Sequence, residues 1–226
     1  MPAIHLPIHG SELAALLVVT SFAAGLNVYA TTATMGLLAR ADVLTLPPAL
    51  HPLTSWYVIG IALVMFVVEF FADKVPAFDL IWNALHTFIR VPVAALIAYG
   101  SASQLSPGMQ LLAAAVGGGI ALAAHSGKMA ARIAVTPSPE PLSNMGLSLG
   151  EDAVAVFLTW FATKLPYVSS AIVGLALVLI VFMIRLVVRA MRALFRGAER
   201  QLSSNVLPDS VQPENVQPDN GSDVKA

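Results

Sequence analysis

The sequence predicts an all-α, polytopic membrane protein of about six transmembrane helices, with two charged, proline-marked hairpins on the cytoplasmic side. Three observations carry that reading. Hydrophobic residues make up 57% of the 226 and charged residues 11%, where an ordinary soluble domain is roughly a quarter charged. Apolar runs recur along the chain, each near the roughly 20 residues that a bilayer span needs. Lys and Arg gather on one set of connections, as they do in cytoplasmic loops. Cysteine is absent, which removes disulfides, thiolate catalysis and cysteine-built metal sites. The net charge of −1 defines no partner class by itself.

Residues 1–12 form a leading segment. It lacks the basic n-region of a secretory signal, and the apolar run behind it is too long for a signal core, so it is expected to be retained. The bundle is expected over 13–200. Its first span, Leu13 to Ala39, is 27 uncharged residues and must tilt or break to fit a hydrocarbon core of about 30 Å; Gly25 and Asn27 mark the place. The second runs from about Leu53 to Ala72, the third from Asp79 to Ser101, and the fourth from Leu105 to Ala134. The fifth runs from Ser143 to Thr163 and the sixth from Pro166 to about Arg196. Pro92 is expected to bend the third span. Gly117, Gly118 and Gly119 permit close helix approach in the fourth, and Ser143 or Asn144 is expected to cap the fifth.

Beyond Arg200 the composition changes. VLPDS, VQPEN and VQPDN repeat from Val206, and segments so poor in bulky apolar side chains cannot build a core, so 201–226 reads as a disordered acidic proline-repeat tail.

With six spans, Lys74, Arg90, Lys128, Arg132 and the arginines from Arg185 onward share the side of both termini, against Arg40 and Lys164 opposite. Both termini are therefore expected in the cytoplasm. Arg185, Arg189, Arg192 and Arg196 form one helical stripe that either anchors the topology or contacts anionic lipid.

Polar residues inside the spans are the informative ones. Asp79, Asn83, His86, Thr87 and Arg90 share one face of the third span, and Asn144, Ser148, Glu151, Asp152 and Thr159 run along the fifth. Glu69 and Asp73, four apart, close the second, with Lys74 behind them. His125, Lys128 and Arg132 end the fourth, and Asn27, Thr31 and Thr34 lie in the first. A charge at bilayer centre costs about 2.5–3.5 kcal/mol, so such stripes are expected to face the bundle interior. The hairpins ADKVPAFD and HSGKMAARIAVTPSPEPLSN link these stripes, and Glu140 lies in the second hairpin. Two readings stand side by side: the stripes line a cavity for a small ion or polar solute, or they pair as an internal salt-bridge network.

Glu69, Asp73, His86, His125, Glu151 and Asp152 also offer carboxylates and imidazoles for a hard or borderline cation, without any recognised metal-ligand signature. No cofactor motif, phosphate loop or nucleic-acid footprint is present.

Lined up, GLNVYATT, EFFADKVPAFDLIWNALHTFIRVPVAALIA and AHSGKMAARIAVTPSPEPLSNMGLSLGEDAV resemble the bacterial membrane proteins grouped as domain of unknown function 4126. ADKVP, HTFIR, SPEPLSN and SLGEDA are the most specific pieces. The resemblance covers about residues 13–196 and implies an integral protein of the bacterial inner membrane. It supplies no activity and no catalytic residue.

The function expected first is transport or conduction of a small ion or polar solute. Asp73, Asp79, Glu151 and Asp152 would meet cations or protons, while Arg90, Lys128 and Arg132 would balance charge or meet an anion. A structural or regulatory membrane protein comes second, and an enzyme acting on lipid head groups third.

Overall fold

The computed structural model describes the backbone of residues 10–72, 76–135 and 141–206, and the side chains of residues 10–72, 81–132 and 145–197. Among these described residues seven α-helices follow in order: α1 (Gly10–Leu26), α2 (Val28–Arg40), α3 (Trp56–Ala72), α4 (Pro76–Ser101), α5 (Pro107–Val135), α6 (Pro141–Lys164) and α7 (Pro166–Val206). A short 3-10 helix, Pro48–Thr54, precedes α3, and no strand occurs among the described residues.

Proline sets the start of α4, α5, α6 and α7. The first N–H groups of a helix have no intrahelical acceptor, so proline loses nothing there and its fixed φ favours the helical turn. This corrects two expected boundaries: α4 starts at Pro76 rather than Asp79, and α6 starts at Pro141, which puts Ser143 and Asn144 in its first turn rather than at its cap. Pro92 lies inside α4 without ending it. At the other end of the chain α7 continues to Val206, six residues into the segment expected as tail. Ala, Leu, Arg, Glu and Gln in this stretch are strong helix formers, and Pro208 stands two residues past the helix end. Residues 207–226, which carry most of the proline repeat, lie outside the described residues.

The first expected span is two helices. Asn27 separates them with extended backbone, φ −147 and ψ 104. Its Oδ1 accepts from the backbone N–H groups of Tyr29 at 3.0 Å and Ala30 at 2.9 Å, capping α2 where two donors would otherwise lack acceptors. Gly25 has another role: a methyl group there would stand 2.5 Å from the carbonyl oxygen of Ala121 and 2.8 Å from Cβ of Ala124, so glycine lets α1 close on α5.

The C-terminal half of α1 is apolar on nearly every side and buried on every side from Val19 to Leu26, the pattern of a helix at the centre of a bundle. Helices α4, α5 and α6 pack around it, and α2 packs against α3 and α6. Val19, Phe22, Ala23 and Leu26 meet Ala30, Ala124, Ala155, Leu158, Ala162 and Val173 in the main apolar core. The expected small-residue packing in α5 is local: Gly117 lies against Ala98 and Ser21, whereas Gly119 has open space where a side chain would be.

Four stretches, Ile81–Ser101, Pro107–Arg132, Met145–Lys164 and Pro166–Gly197, are long and apolar enough to cross a membrane. The count is five if Pro48–Thr54 and α3, bent by 63° at their junction, form one span; Gly10–Leu26 is apolar but only 17 residues long. The chain divides into two compact units, Met1–Val187 and Val188–Ala226. The second is described as the C-terminal part of α7, on which Arg189, Arg192 and Arg196 are exposed.

Candidate functional site

The inward face of α3 is narrow. Only Ile59, Ala62, Glu69 and Ala72 are buried on it, and their spacing puts the carboxylate of Glu69 on the one stripe that meets the other helices. The opposing faces are those of α4, where Asn83, His86 and Arg90 are buried, and of α5, where His125, Lys128 and Arg132 are buried.

Arg90, with 0% exposure, is the hub. Its Nη2 donates to Oε1 of Glu69. Its Nη1 donates to Oδ1 of Asn83 at 3.0 Å and to Nδ1 of His125 at 2.8 Å. A guanidinium can only donate, so Nδ1 of His125 must be the acceptor and the proton sits on Nε2. That Nε2–H then donates to Oγ1 of Thr87 at 2.8 Å, whose own hydroxyl donates to the Asn83 carbonyl at 3.2 Å.

Glu69 also faces Lys128, with Nζ 3.5 Å from Oε1. Lys128 Nζ reaches Oε2 of Glu151 on α6 at 3.0 Å, and Arg132 Nη2 reaches the same oxygen at 3.1 Å. The result is a chain of alternating sign, Arg90, Glu69, Lys128, Glu151, Arg132, drawn from α3, α4, α5 and α6. Glu69 Oε2 and Arg90 Nε have no hydrogen-bond partner among the described residues.

Two smaller polar contacts flank the chain. Asn27 Nδ2 donates to Oδ1 of Asp152 at 2.8 Å, tying the break between α1 and α2 to α6. His86 donates from Nδ1 to the Trp82 carbonyl at 2.8 Å, which leaves Nε2 to accept from the Tyr29 hydroxyl at 3.1 Å. The His86 ring stacks on Trp82 with centroids 4.1 Å apart and meets the edge of Tyr29 at 5.8 Å.

Of the residues singled out in the sequence, the network thus gathers Glu69, Asn83, Thr87, Arg90, His125, Lys128, Arg132 and Glu151. Asn27 and Asp152 form a separate contact, His86 belongs to the aromatic group, and Ser148 is buried on α6. Asp73, Lys74 and Glu140 lie outside the described residues, as do the side chains of Asp79 and Asn144. Tyr29 and Trp82 were not anticipated. Their signals are an aromatic two residues past the helix break and another one turn before His86. Of the cation site raised for Glu69, Asp73, His86, His125, Glu151 and Asp152, Asp73 lies outside the described residues, and among the described ones no group of three such ligands converges. The imidazole nitrogens are committed to Arg90, Thr87, Tyr29 and the Trp82 carbonyl instead.

Fold and network together define the class: an all-helical protein with four to five candidate membrane-spanning helices around a buried chain of ion pairs. The chain belongs to the family described as domain of unknown function (DUF4126), whose model matches residues 14–186. No curated protein and no solved structure matches it.

Proposed function

We propose that this protein moves a small ion or polar solute across the bacterial inner membrane, and that the alternating ion-pair chain is the closed form of its path. In this reading α1 and α2 act as one broken span and the 3-10 helix with α3 as a second. Helices α4 to α7 make six, with both charged hairpins and both termini in the cytoplasm.

The observation that supports the reading is the chain itself: five charged side chains of alternating sign, four of them at most 5% exposed at the side chain and Glu151 at 10%, inside a bundle whose main core is apolar. Buried ion pairs contribute little net stability over well-packed apolar residues, so stability alone is a weak reason to build one. Ionisable groups inside membrane bundles commonly mark ion and proton paths. Here Lys128 is shared by Glu69 and Glu151, and a cation or proton that replaces it on Glu69 would release it from that carboxylate. The exposed stripe of Arg185, Arg189, Arg192 and Arg196 is set against anionic head groups in the same orientation.

Purified protein in liposomes, offered a panel of ions, amino acids and organic acids, tests the proposal. Uptake or current above that of empty vesicles is expected, and Glu69→Gln or Glu151→Gln should abolish it in protein that remains folded. Absence of flux for the whole panel overturns the proposal. The pairing of both terminal Arg90 nitrogens, with Glu69, Asn83 and His125 in place, favours a second reading in which the chain only locks the bundle. Glu69→Gln would then lower the thermal midpoint and leave no separable defect.

A further inference from the structure

The second unit, Val188–Ala226, keeps its charges of opposite sign in different places. Arg189, Arg192 and Arg196 are exposed on its helical part, and spacings of three and four set them on one face of α7. Residues 188–197 contain no acid. None of the three arginines has an ion pair or hydrogen bond among the described residues, so their charge is unspent. Like charges one turn apart destabilise a helix, yet α7 runs past all three to Val206. The acids come after that helix: residues 207–226 carry Asp209, Glu214, Asp219 and Asp223 against the single base Lys225.

We propose that the acidic proline-repeat tail folds back along α7 and pairs Glu214 and Asp219 with the stripe of Arg189, Arg192 and Arg196 in its own chain. Length and spacing support that occupant. Pro208, Pro213 and Pro218 each precede an acid, and proline favours an extended chain that advances about 3.1 Å per residue. An α-helix rises about 1.5 Å per residue, which puts Arg196 about 15 Å and Arg189 about 26 Å back from Val206. With residues 207–210 spent on the reversal, Glu214 returns about 12 Å along the helix and Asp219 about 28 Å. Each acid thus comes level with one end of the stripe. A single exposed ion pair is weak, but several on one tether act at a high effective concentration. Anionic head groups offer the stripe the same sign of charge, whereas the tail is joined to it by covalent bonds and is present in every molecule.

The absence of cysteine allows a direct test, with one pair of spin labels placed by Ala193→Cys and Gln217→Cys in the full chain. Folded back, the two positions lie about 20 Å and about 22 Å from Val206 along α7, side by side. Double electron–electron resonance in nanodiscs of neutral lipid at low salt should give a main distance of about 20 Å or less. Neutralising the tail with Asp209→Asn, Glu214→Gln, Asp219→Asn and Asp223→Asn changes no residue of the bundle. It should shift the signal to a broad distribution reaching beyond about 30 Å. Salt at about 1 M, which screens charges beyond about 3 Å, should do the same. A broad distribution for the native tail, as when the arginines stay with lipid or water, overturns the proposal. So does a short distance that survives neutralisation, or one seen only between labels on separate chains, which would put the tail on a second copy. The distance needs no gradient, so it stands or falls separately from the liposome flux.

Discussion

Neutralising Glu69 and Glu151, singly and together, asks whether Lys128 ties the buried charges into one chain. Glu69 holds Arg90 and, at 3.5 Å, Lys128; Glu151 holds Lys128 at 3.0 Å and Arg132 at 3.1 Å. In Glu69→Gln the guanidinium of Arg90 stays buried with its carboxylate gone, and breaking such a pair costs about 3–5 kcal/mol. The Glu151 side chain is 10% exposed, and Glu151→Gln should cost less, about 1.5–3 kcal/mol for its charge-assisted bonds. Each single variant leaves Lys128 one of these two carboxylates. The double variant leaves it neither, so the combined loss should exceed the sum by about 1–2 kcal/mol, within the usual coupling of residues in one network. Reversible unfolding in mixed micelles, followed by far-ultraviolet circular dichroism, measures all four proteins. The excess should vanish in a Lys128→Met background. Additivity within about 0.5 kcal/mol in the native background would refute the idea that Lys128 bridges the two acids.

Three further outcomes are expected. Asn27→Ala should lower stability by about 1 kcal/mol for the lost helix cap and by a further 1–3 kcal/mol or so for the donor taken from Asp152. Asn27→Asp, which keeps a capping oxygen but sets two carboxylates face to face, should have the lower thermal midpoint of the two. Gly25→Ala should destabilise by about 1–3 kcal/mol through overpacking against Ala121, while Gly119→Ala, in open space, should raise the midpoint through about 1 kcal/mol of helix propensity; paired thermal scans compare them. Tyr29→Phe removes the hydroxyl that donates to His86 and should cost about 1 kcal/mol, and nitrogen chemical shifts of His86 report whether its Nε2 environment changes.

Much of the helical layout was legible because membrane-length apolar runs and prolines are local signals. Asn27 was readable as a break since 27 uncharged residues exceed one span and its amide can replace a backbone acceptor. The helix starts were less so: Pro76 and Pro141 read as loop markers, although proline is as suited to the first helical position as to the turn before it. The inward residues of α4 and α5 could be chosen by their spacing of three and four. Their partners could not, because periodicity orders side chains around one helix and says nothing about which helix lies opposite. That Glu69 faces Arg90 and Lys128, and that Asp152 faces Asn27 across 125 residues of chain, follows from packing around α1. The roles of Tyr29 and Trp82 were hidden for the same reason.

The sharing of Lys128 also bears on how the protein is made. In a bundle of candidate membrane spans made from its N-terminal end, α5 arrives with Lys128 and Arg132 when, of the two described acids that these side chains meet, Glu69 is already in place. The matching acid, Glu151, is carried by the next helix to be synthesised. A basic side chain left without its acid in hydrocarbon is unfavourable by up to about 2.5–3.5 kcal/mol, so α5 has reason to wait at the insertion machinery until α6 joins it. The two helices would then leave for the lipid as a pair, and a ribosome stalled between them should hold α5 in a state that carbonate or urea can still extract.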